Sequence, residues 1–337
     1  MIKFSIVIPI RTLNDFLREN IFHLEQLEYK NFEVILISDE ETELSTTDDR
    51  FKLFFVGNKG PGEKRNLGVE KSSGDVVVFL DDDAFPSKTW LTEAAKIFED
   101  KQVYALGAPA MTPPKAPFLE RMSGRIHESF LASYKFKYRH IPSKKQLIDD
   151  YPTVNLFVRK EAFESVGGFI TEFWPGEDTK LCLDLVNKFG RKFLYHPKPV
   201  VYHHRRDVFL PHLKQVSRYG QHRGQFARIF PQTSAIPSYF VPSAFVLGLL
   251  LGPIVCYFVP ILWWFYGSVV AIYSFLILWE SIKVLLKEKS LLAGIYMFFG
   301  VLMTHIVYGV NIMVGLINKP KLKLRSFDEE TGNYLGG

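Results

Sequence analysis

The 337-residue chain has only two cysteines, Cys182 and Cys256, far apart in sequence. That excludes a disulfide-stapled scaffold and a cysteine-ligated zinc site. Phosphate-binding loops are missing too: there is no GxxxxGK[ST], and no GxGxxG follows the first apolar run. P-loop and dinucleotide-fingerprint chemistry are thereby excluded. The Gly-rich stretch "GNKGPGEKRN" (57–66) has neither spacing. Charge of one sign is also scarce. A net charge of +5 suits anionic lipid or a phosphorylated small molecule and gives no reason to expect nucleic acid. The opening "MIKFSIVIPI" is short, interrupted by Pro9, and followed by no small-residue cleavage site, so it does not read as a secretory signal. The expectation is an N-terminal domain in the cytoplasm.

What the chain does have is long apolar runs. From Tyr239 to Leu286 the only charges are Glu280 and Lys283, and a second run extends from Leu291 to Ile317. A crossing takes ~20 helical residues. The first run is long enough for two crossings and the second for one. Pro253 and Pro260 are candidate breaks, and Trp263, Trp264 and Tyr266 suit an interfacial belt. A buried helical core is the alternative, but runs this long and charge-poor belong to bilayers. The expected organisation is a catalytic domain over 1–207, a basic interfacial segment over 208–235, about three membrane helices over 236–318, and a tail over 319–337. Lys283, Lys287 and Lys289 place the second turn inside by the positive-inside rule. Three crossings would then leave the tail outside, although Lys319, Lys321, Lys323 and Arg325 argue the other way.

Residues 1–110 alternate two patterns. "FSIVIPI" (4–10), "FEVILIS" (32–38), "FKLFFV" (51–56) and "DVVVFL" (75–80) have strand length and are continuously apolar. This is the mark of parallel strands covered on both faces. Helical patterns separate them: 14–27 with Asn14 as cap, one after the third strand, and one after the fourth with Ser87 as cap. The reading is a doubly wound, mostly parallel α/β sheet, which binds ligands beyond the carboxyl ends of its strands.

Acidic residues gather at those ends. Asp39 follows strand two, and "FLDDDAFP" (79–86) places Asp81, Asp82 and Asp83 after strand four. In an extended chain Asp81 and Asp83 face one way and Asp82 another. Paired carboxylates repel phosphate unless a hard divalent cation lies between, and Mg²⁺ or Mn²⁺ uses one or two carboxylates plus phosphate oxygens. A solvated acidic turn is the plainer alternative. Lys64 and Arg65 stand near a helix start where an anion can bind. Further on, Gly167 and Gly168 end a short helix. "GEDTKLCLDLVNKFG" reads as another, with Glu177 and Asp178 at its start and Gly190 as its stop. These acids either complement the helix dipole or include a general base.

The ordered set "IVIPI", "ISDE", "KRNLG…GDVVVFLDDDA", "NLFVR", "VGGF" and "GEDT" resembles glycosyltransferase family 2, the inverting enzymes of GT-A fold, over about residues 1–230. The resemblance implies a nucleoside-diphosphate-sugar donor, a UDP sugar first, bound through Pro9, Asp39, Lys64, Arg65, Asp81 and Asp83. It implies a divalent cation on Asp83 and Asp81, with Asp178 as the catalytic base. Asn155, Glu177 and His203 fall on the acceptor or diphosphate side, and His203 after its strand approaches the diphosphate or the metal. "KQVSRYGQHRG" (214–224) is similar to the Q-x-x-R-W motif of membrane synthases, with Tyr219 in place of Trp beside Gln215 and Arg218. The same helix, with its arginines and phenylalanines, also suits anionic lipid. The tail "MTHIVYGVNIMVGLI" (303–317) resembles succinoglycan-type exopolysaccharide transferases, and Gly309 and Gly315 suit close helix packing. Together these imply a multi-pass membrane enzyme with a lipid-linked or glycan acceptor and a role in polysaccharide synthesis. A polyprenyl-phosphate sugar synthase, which needs no general base, stays open. So do a processive synthase, for which three crossings are few, and a nucleotide-sugar sensor without activity.

Overall fold

The computed structural model describes residues 1–318 other than Ser45 and Trp174, and the backbone at 326–328 and 333–335. In chain order the elements are β1 (Phe4–Ile10), α1 (Asp15–Glu25), β2 (Phe32–Ser38), β3 (Phe51–Phe55), α2 (Pro61–Glu70), β4 (Val76–Phe79), β5 (Ala84–Pro86) and α3 (Trp90–Phe98). Next come β6 (Ala105–Gly107), β7 (Ala110–Met111), α4 (Phe118–Glu128), α5 (Phe130–Ser133), β8 (Gln146–Ile148), β9 (Leu156–Arg159), α6 (Lys160–Ser165), α7 (Glu177–Phe189), β10 (Phe193–Tyr195) and β11 (Val201–His203). The chain continues with α8 (Leu210–Ile229), α9 (Pro231–Ser234), α10 (Pro237–Phe258), α11 (Leu262–Glu288) and α12 (Leu291–Ile317).

Contacts divide the chain into two units. The first holds residues 1–113 and 138–204; the second holds 114–137 and the helices that follow Arg205. The first unit is built on an eight-stranded sheet of order β3-β2-β1-β4-β9-β6-β10-β8. The four expected strands run parallel and make up one half of it, with β3 at the edge and β1 paired to both β2 and β4. The side chains of β1, β2 and β4 are almost wholly buried, as continuous apolar runs require. The order 3-2-1-4 reverses direction between β1 and β4, and that switch point is where an open α/β sheet has its crevice. A small second sheet, β5-β11-β7, accompanies it. Helix α2 presses so closely on β1 that a Cβ at Gly68 would come within 2.3 Å of Val7 Cγ1.

Two local expectations are corrected. Helix α3 starts at Trp90, and Ser87 contributes its backbone carbonyl to Trp90 N rather than a side-chain cap. Pro253 lies inside α10 without ending it; the break falls at 259–261, around Pro260.

The second unit gathers α4, α8 and the three long helices. Each of α10, α11 and α12 is long and apolar enough to cross a membrane. Met122 and Ile126 of α4 share a core with Val208, Ile277, Met297 and Val301. The sequence expectation kept residues 114–137 with the catalytic domain; they pack here instead. Close helix packing at Gly309 and Gly315 holds: added Cβ atoms would meet the Pro242 carbonyl at 2.4 Å and the Gln221 carbonyl at 2.1 Å. The cationic tail at 319–325 lies outside the described residues.

Candidate active site

The crevice is assembled from the carboxyl ends of β1, β2 and β4. At the end of β2, Asp39 Oδ1 meets Lys64 Nζ at 2.6 Å and accepts from Lys59 N at 3.2 Å. Lys64 also donates to the Ile10 carbonyl at 2.6 Å, so it ties the ends of β1 and β2 together. Burial pushes its ammonium pKa down, and the Asp39 contact opposes that. Pro9 sits one residue before Ile10, in register with Ile37 of β2 and beyond the span where β1 pairs with β4. Lys64 and Arg65 were expected to await an anion. Both are instead nearly buried and engaged with carboxylates, because a buried cation requires a partner of opposite charge.

Arg65 bridges two acids. One terminal nitrogen lies 2.8 Å from Asp81 Oδ1 and the other 3.0 Å from Glu177 Oε1. Burial pushes the Glu177 carboxyl up, and the Arg65 guanidinium opposes that. Glu177 also accepts from Gly176 N at 3.1 Å. The next residue, Asp178, is half-buried, and its Oδ1 accepts from Thr179 N at 2.7 Å. Asn66 adds a second brace: its amide donates to the Phe169 carbonyl at 2.8 Å and accepts from Phe169 N at 2.9 Å. Gly168 makes the turn with φ of 74°, where a Cβ would strike Asn66. The "KRN" and "VGGF" stretches are thus one structural clamp between α2 and the chain leading to α7.

The three aspartates diverge. Asp82 accepts from Asn14, the cap of α1, at 2.7 Å. Burial pushes its carboxyl up, the Asn14 bond opposes that, and Asp83 and Asp81 push further. Asn20 holds the loop from beneath by donating to the Asp81 and Ala84 carbonyls. Asp83 is joined by His203, whose Nε2 lies 3.2 Å from Asp83 Oδ1. Pairing of β5 with β11 brings them together, since Ala84 lies opposite His203 and His204 N donates to the Asp83 carbonyl. One ligand atom each from Asp81, Asp83 and His203 lies within 4.8 Å of the others. Two carboxylates and an imidazole form a donor set suited to a divalent cation.

Asn155 has a different place from the one expected. It is wholly buried, accepts from Trp90 Nε1 at 3.0 Å, and donates to the Pro109 and Pro199 carbonyls. Its amide is a bracket between chain segments, not a group presented to ligand. Gln215, Arg218 and Tyr219 lie on α8 of the second unit, where Gln215 donates to the Tyr219 hydroxyl at 3.0 Å and Tyr219 is 48% exposed. Sequence reasoning saw Asn14 only as a helix cap and did not single out Asn20. It left His203 between the diphosphate and the metal, and the structure sets it beside Asp83. Only the "YHH" after a strand hinted at that last role.

Known proteins carry similar sequences and the same fold. The chain is 27% identical over 246 residues to a "Pre-mycofactocin glycosyltransferase" of Mycobacterium tuberculosis, covering 68% of this chain and 49% of that protein. It is 31% identical over 93 residues to the "GalNAc(5)-diNAcBac-PP-undecaprenol beta-1,3-glucosyltransferase" of Campylobacter jejuni, covering 25% of this chain and 30% of that one. The chain thus spans about half, or less, of the length of these curated relatives. Among solved structures it resembles the mannosyltransferase PcManGT from Pyrobaculum calidifontis, in complex with GDP-Man and Mn²⁺. The TM-score is 0.54 at 15% identity, covering 92% of this chain and 87% of that one. That likeness is of the GT-A fold. Residues 5–167 match the model of the family described as "Glycosyl transferase family 2". With the switch-point arrangement, the acid pair and these relatives in agreement, the chain is similar to glycosyl transferase family 2 over residues 5–167.

Proposed function

We propose that this glycosyltransferase moves a sugar from a nucleoside-diphosphate sugar, a UDP sugar in the first instance, to a hydroxyl of a lipid-linked or glycan acceptor. The transfer takes place at the membrane, with inversion, in polysaccharide or glycoconjugate synthesis. The observation that carries the reading is the meeting of Asp81, Asp83 and His203 at the β1/β4 switch point. The printed ligands of PcManGT, GDP-Man and Mn²⁺, support the donor class and a cation. The name of the Campylobacter relative, which includes an undecaprenol-linked diphosphate, supports a lipid-linked acceptor.

Asp81, Asp83 and His203 would hold Mg²⁺ or Mn²⁺. Such a cation, when bound, supplies charge stabilisation to a departing diphosphate worth several kcal/mol, roughly. Asp39 orients the nucleotide and is itself steadied by Lys64 and Lys59 N. Asp178 takes the proton of the acceptor hydroxyl as that oxygen attacks the anomeric carbon from the face opposite the leaving group. Glu177, pinned by Arg65, fixes the helix start that presents Asp178. Gln215, Arg218 and Tyr219 serve the acceptor: the ring stacks on a sugar and the guanidinium meets a phosphate. The catalytic domain faces the cytoplasm, where nucleotide sugars are made. The segment 208–235 rests on the membrane surface.

The test uses pure full-length protein in detergent, a panel of nucleotide sugars with Mn²⁺, and a measurement of nucleoside-diphosphate release. Release from one donor, lost in Asp83→Ala, is expected. No release from any donor with extracted lipid acceptors present would sink the reading.

A further inference from the structure

Length and composition qualify α10, α11 and α12 alike as crossings. Their neighbours separate them. Helix α4 is the reference. Its stretch, 114–137, lies between β7 of the small sheet and β8 of the large one and is too short to cross a bilayer and return. It therefore lies on the catalytic domain's side. The C-terminal end of α11 is fastened to it. Glu288 accepts from Arg121 Nε and Arg125 Nε, each at 2.8 Å, and the Ser129 hydroxyl donates to Glu280 at 3.1 Å. So α11 ends on the catalytic side. Helices α10 and α11 pair antiparallel, with Phe245 on Tyr273 (ring centroids 4.1 Å apart) and Gly252 against Tyr266. Hence α10 begins where α11 ends, on the catalytic side. Helix α8, between β11 and α10, has both ends on that side and does not cross.

The second half of α12 runs parallel with α8. His212 Nε2 lies 2.9 Å from Thr304 Oγ1, and the Ser217 hydroxyl donates to Asn311 Oδ1 at 2.8 Å. Gly224 packs on the Ile312 carbonyl. Arg228 donates to the Leu316 and Asn318 carbonyls at 2.9 and 3.0 Å. To carry Ile317 across the bilayer, α12 would have to take α8 with it. Lys214, Arg218, Arg223 and Arg228 would then enter hydrocarbon, where charged side chains are costly. The first half of α12 is held as well, since Gly300 admits the Ile126 side chain of α4.

We propose that the chain crosses the membrane twice, through α10 and α11, and that α12 is an interfacial helix lying with α4 and α8 on the catalytic side. Its partner is the bilayer surface. Leu291, Ile295, Phe299 and Met303 recur every four residues and are 70%, 44%, 50% and 38% exposed. They form an apolar stripe, flanked by basic α8, that suits the boundary between headgroups and acyl chains. The piece of α10 beyond its stacked ring, Phe245 to Phe258, is ~20 Å long. Added to one embedded helix diameter of ~10 Å, it matches a hydrocarbon core of ~30 Å. The tail lysines then lie on the same side as Lys283, Lys287 and Lys289, and the charge conflict in the sequence disappears.

The inference is independent of the sugar chemistry and is tested by topology. Single cysteines are introduced at Lys144, Pro260 and Ser326 in full-length protein carrying Cys182→Ala and Cys256→Ala. Sealed vesicles are treated with an impermeant thiol reagent before and after detergent. Ser326→Cys is expected to follow Lys144→Cys, with Pro260→Cys on the opposite side. Ser326→Cys following Pro260→Cys, or all three on one side, overturns the proposal. If the cysteine-free background does not fold, an epitope appended after Gly337 and probed with protease on the same vesicles reads the same two outcomes.

Discussion

Two acids of one sheet behave in opposite ways. Glu33, near the amino end of β2, is 3% exposed and accepts from Lys52 Nζ, Ser5 Oγ, Ser73 N and Ser73 Oγ at 2.7–2.9 Å. Burial pulls its pKa up, but these donors prevail and bring it down to about 2. Asp81 and Asp83 lie past the carboxyl end of β4, with side chains 30% and 13% exposed. They sit within reach of each other and of His203. Donors saturate the first acid, and it holds the sheet. The second pair meets Arg65 and His203, and in the function proposed above it is the pair that would hold a cation. An acid's role therefore follows from how fully its surroundings compensate its charge.

Substitutions on either side put that contrast at risk. Asp83→Ala should lower turnover by at least ~10³-fold, since a cation's charge stabilisation is worth several kcal/mol. The melting temperature should stay within a few degrees, and excess chelator should reproduce the loss in the wild type. Activity that survives chelation removes the cation from the account. Asp178→Asn keeps the bond to Thr179 N but not the basicity. Turnover should drop ~10²–10⁴-fold while donor affinity, measured by calorimetry, holds. A drop of less than tenfold would favour a lipid-phosphate acceptor, which needs no base.

Arg65→Met tests the bridge between Asp81 and Glu177. It leaves a buried carboxylate without its cation, so stability should fall by ~3–5 kcal/mol, read by denaturant unfolding. Turnover should fall more modestly, ~10-fold, as the start of α7 loosens. Glu33→Gln should leave turnover at permissive temperature unchanged and cost only stability. The folded pKa of about 2 lies below the ordinary 4.5. The contribution is therefore fully present above pH 4.5 and is lost as pH falls toward 2. The variant should be less stable by about 3 kcal/mol at neutral pH, since each tenfold change in proton affinity between the unfolded and folded chain is worth about 1.4 kcal/mol. The gap from wild type should close in acid. A loss of turnover in Glu33→Gln as deep as that in Asp83→Ala would erase the distinction drawn between the two acids.

The parallel core was legible in the sequence, because continuous apolar runs of strand length must be covered on both faces. So was the gathering of Asp39, Asp81 and Asp83 at one edge, because they follow the strands directly. Gly190 as the stop of α7 was legible too, and it adopts the left-handed conformation with φ of 61°. Which charges compensate which was settled only by folding in three dimensions. Lys64 meets Asp39 across 25 positions, Arg65 meets Glu177 across 112, and His203 reaches Asp83 through the pairing of β11 with β5. Such partners have no local signal, since burial brings them together only after distant elements pack. The same holds for α4. Its 11 residues were given no element in the sequence, and only its packing on α11 and α12 assigns it to the second unit. Hydropathy is a property of one segment, whereas a crossing depends on what that segment lies beside.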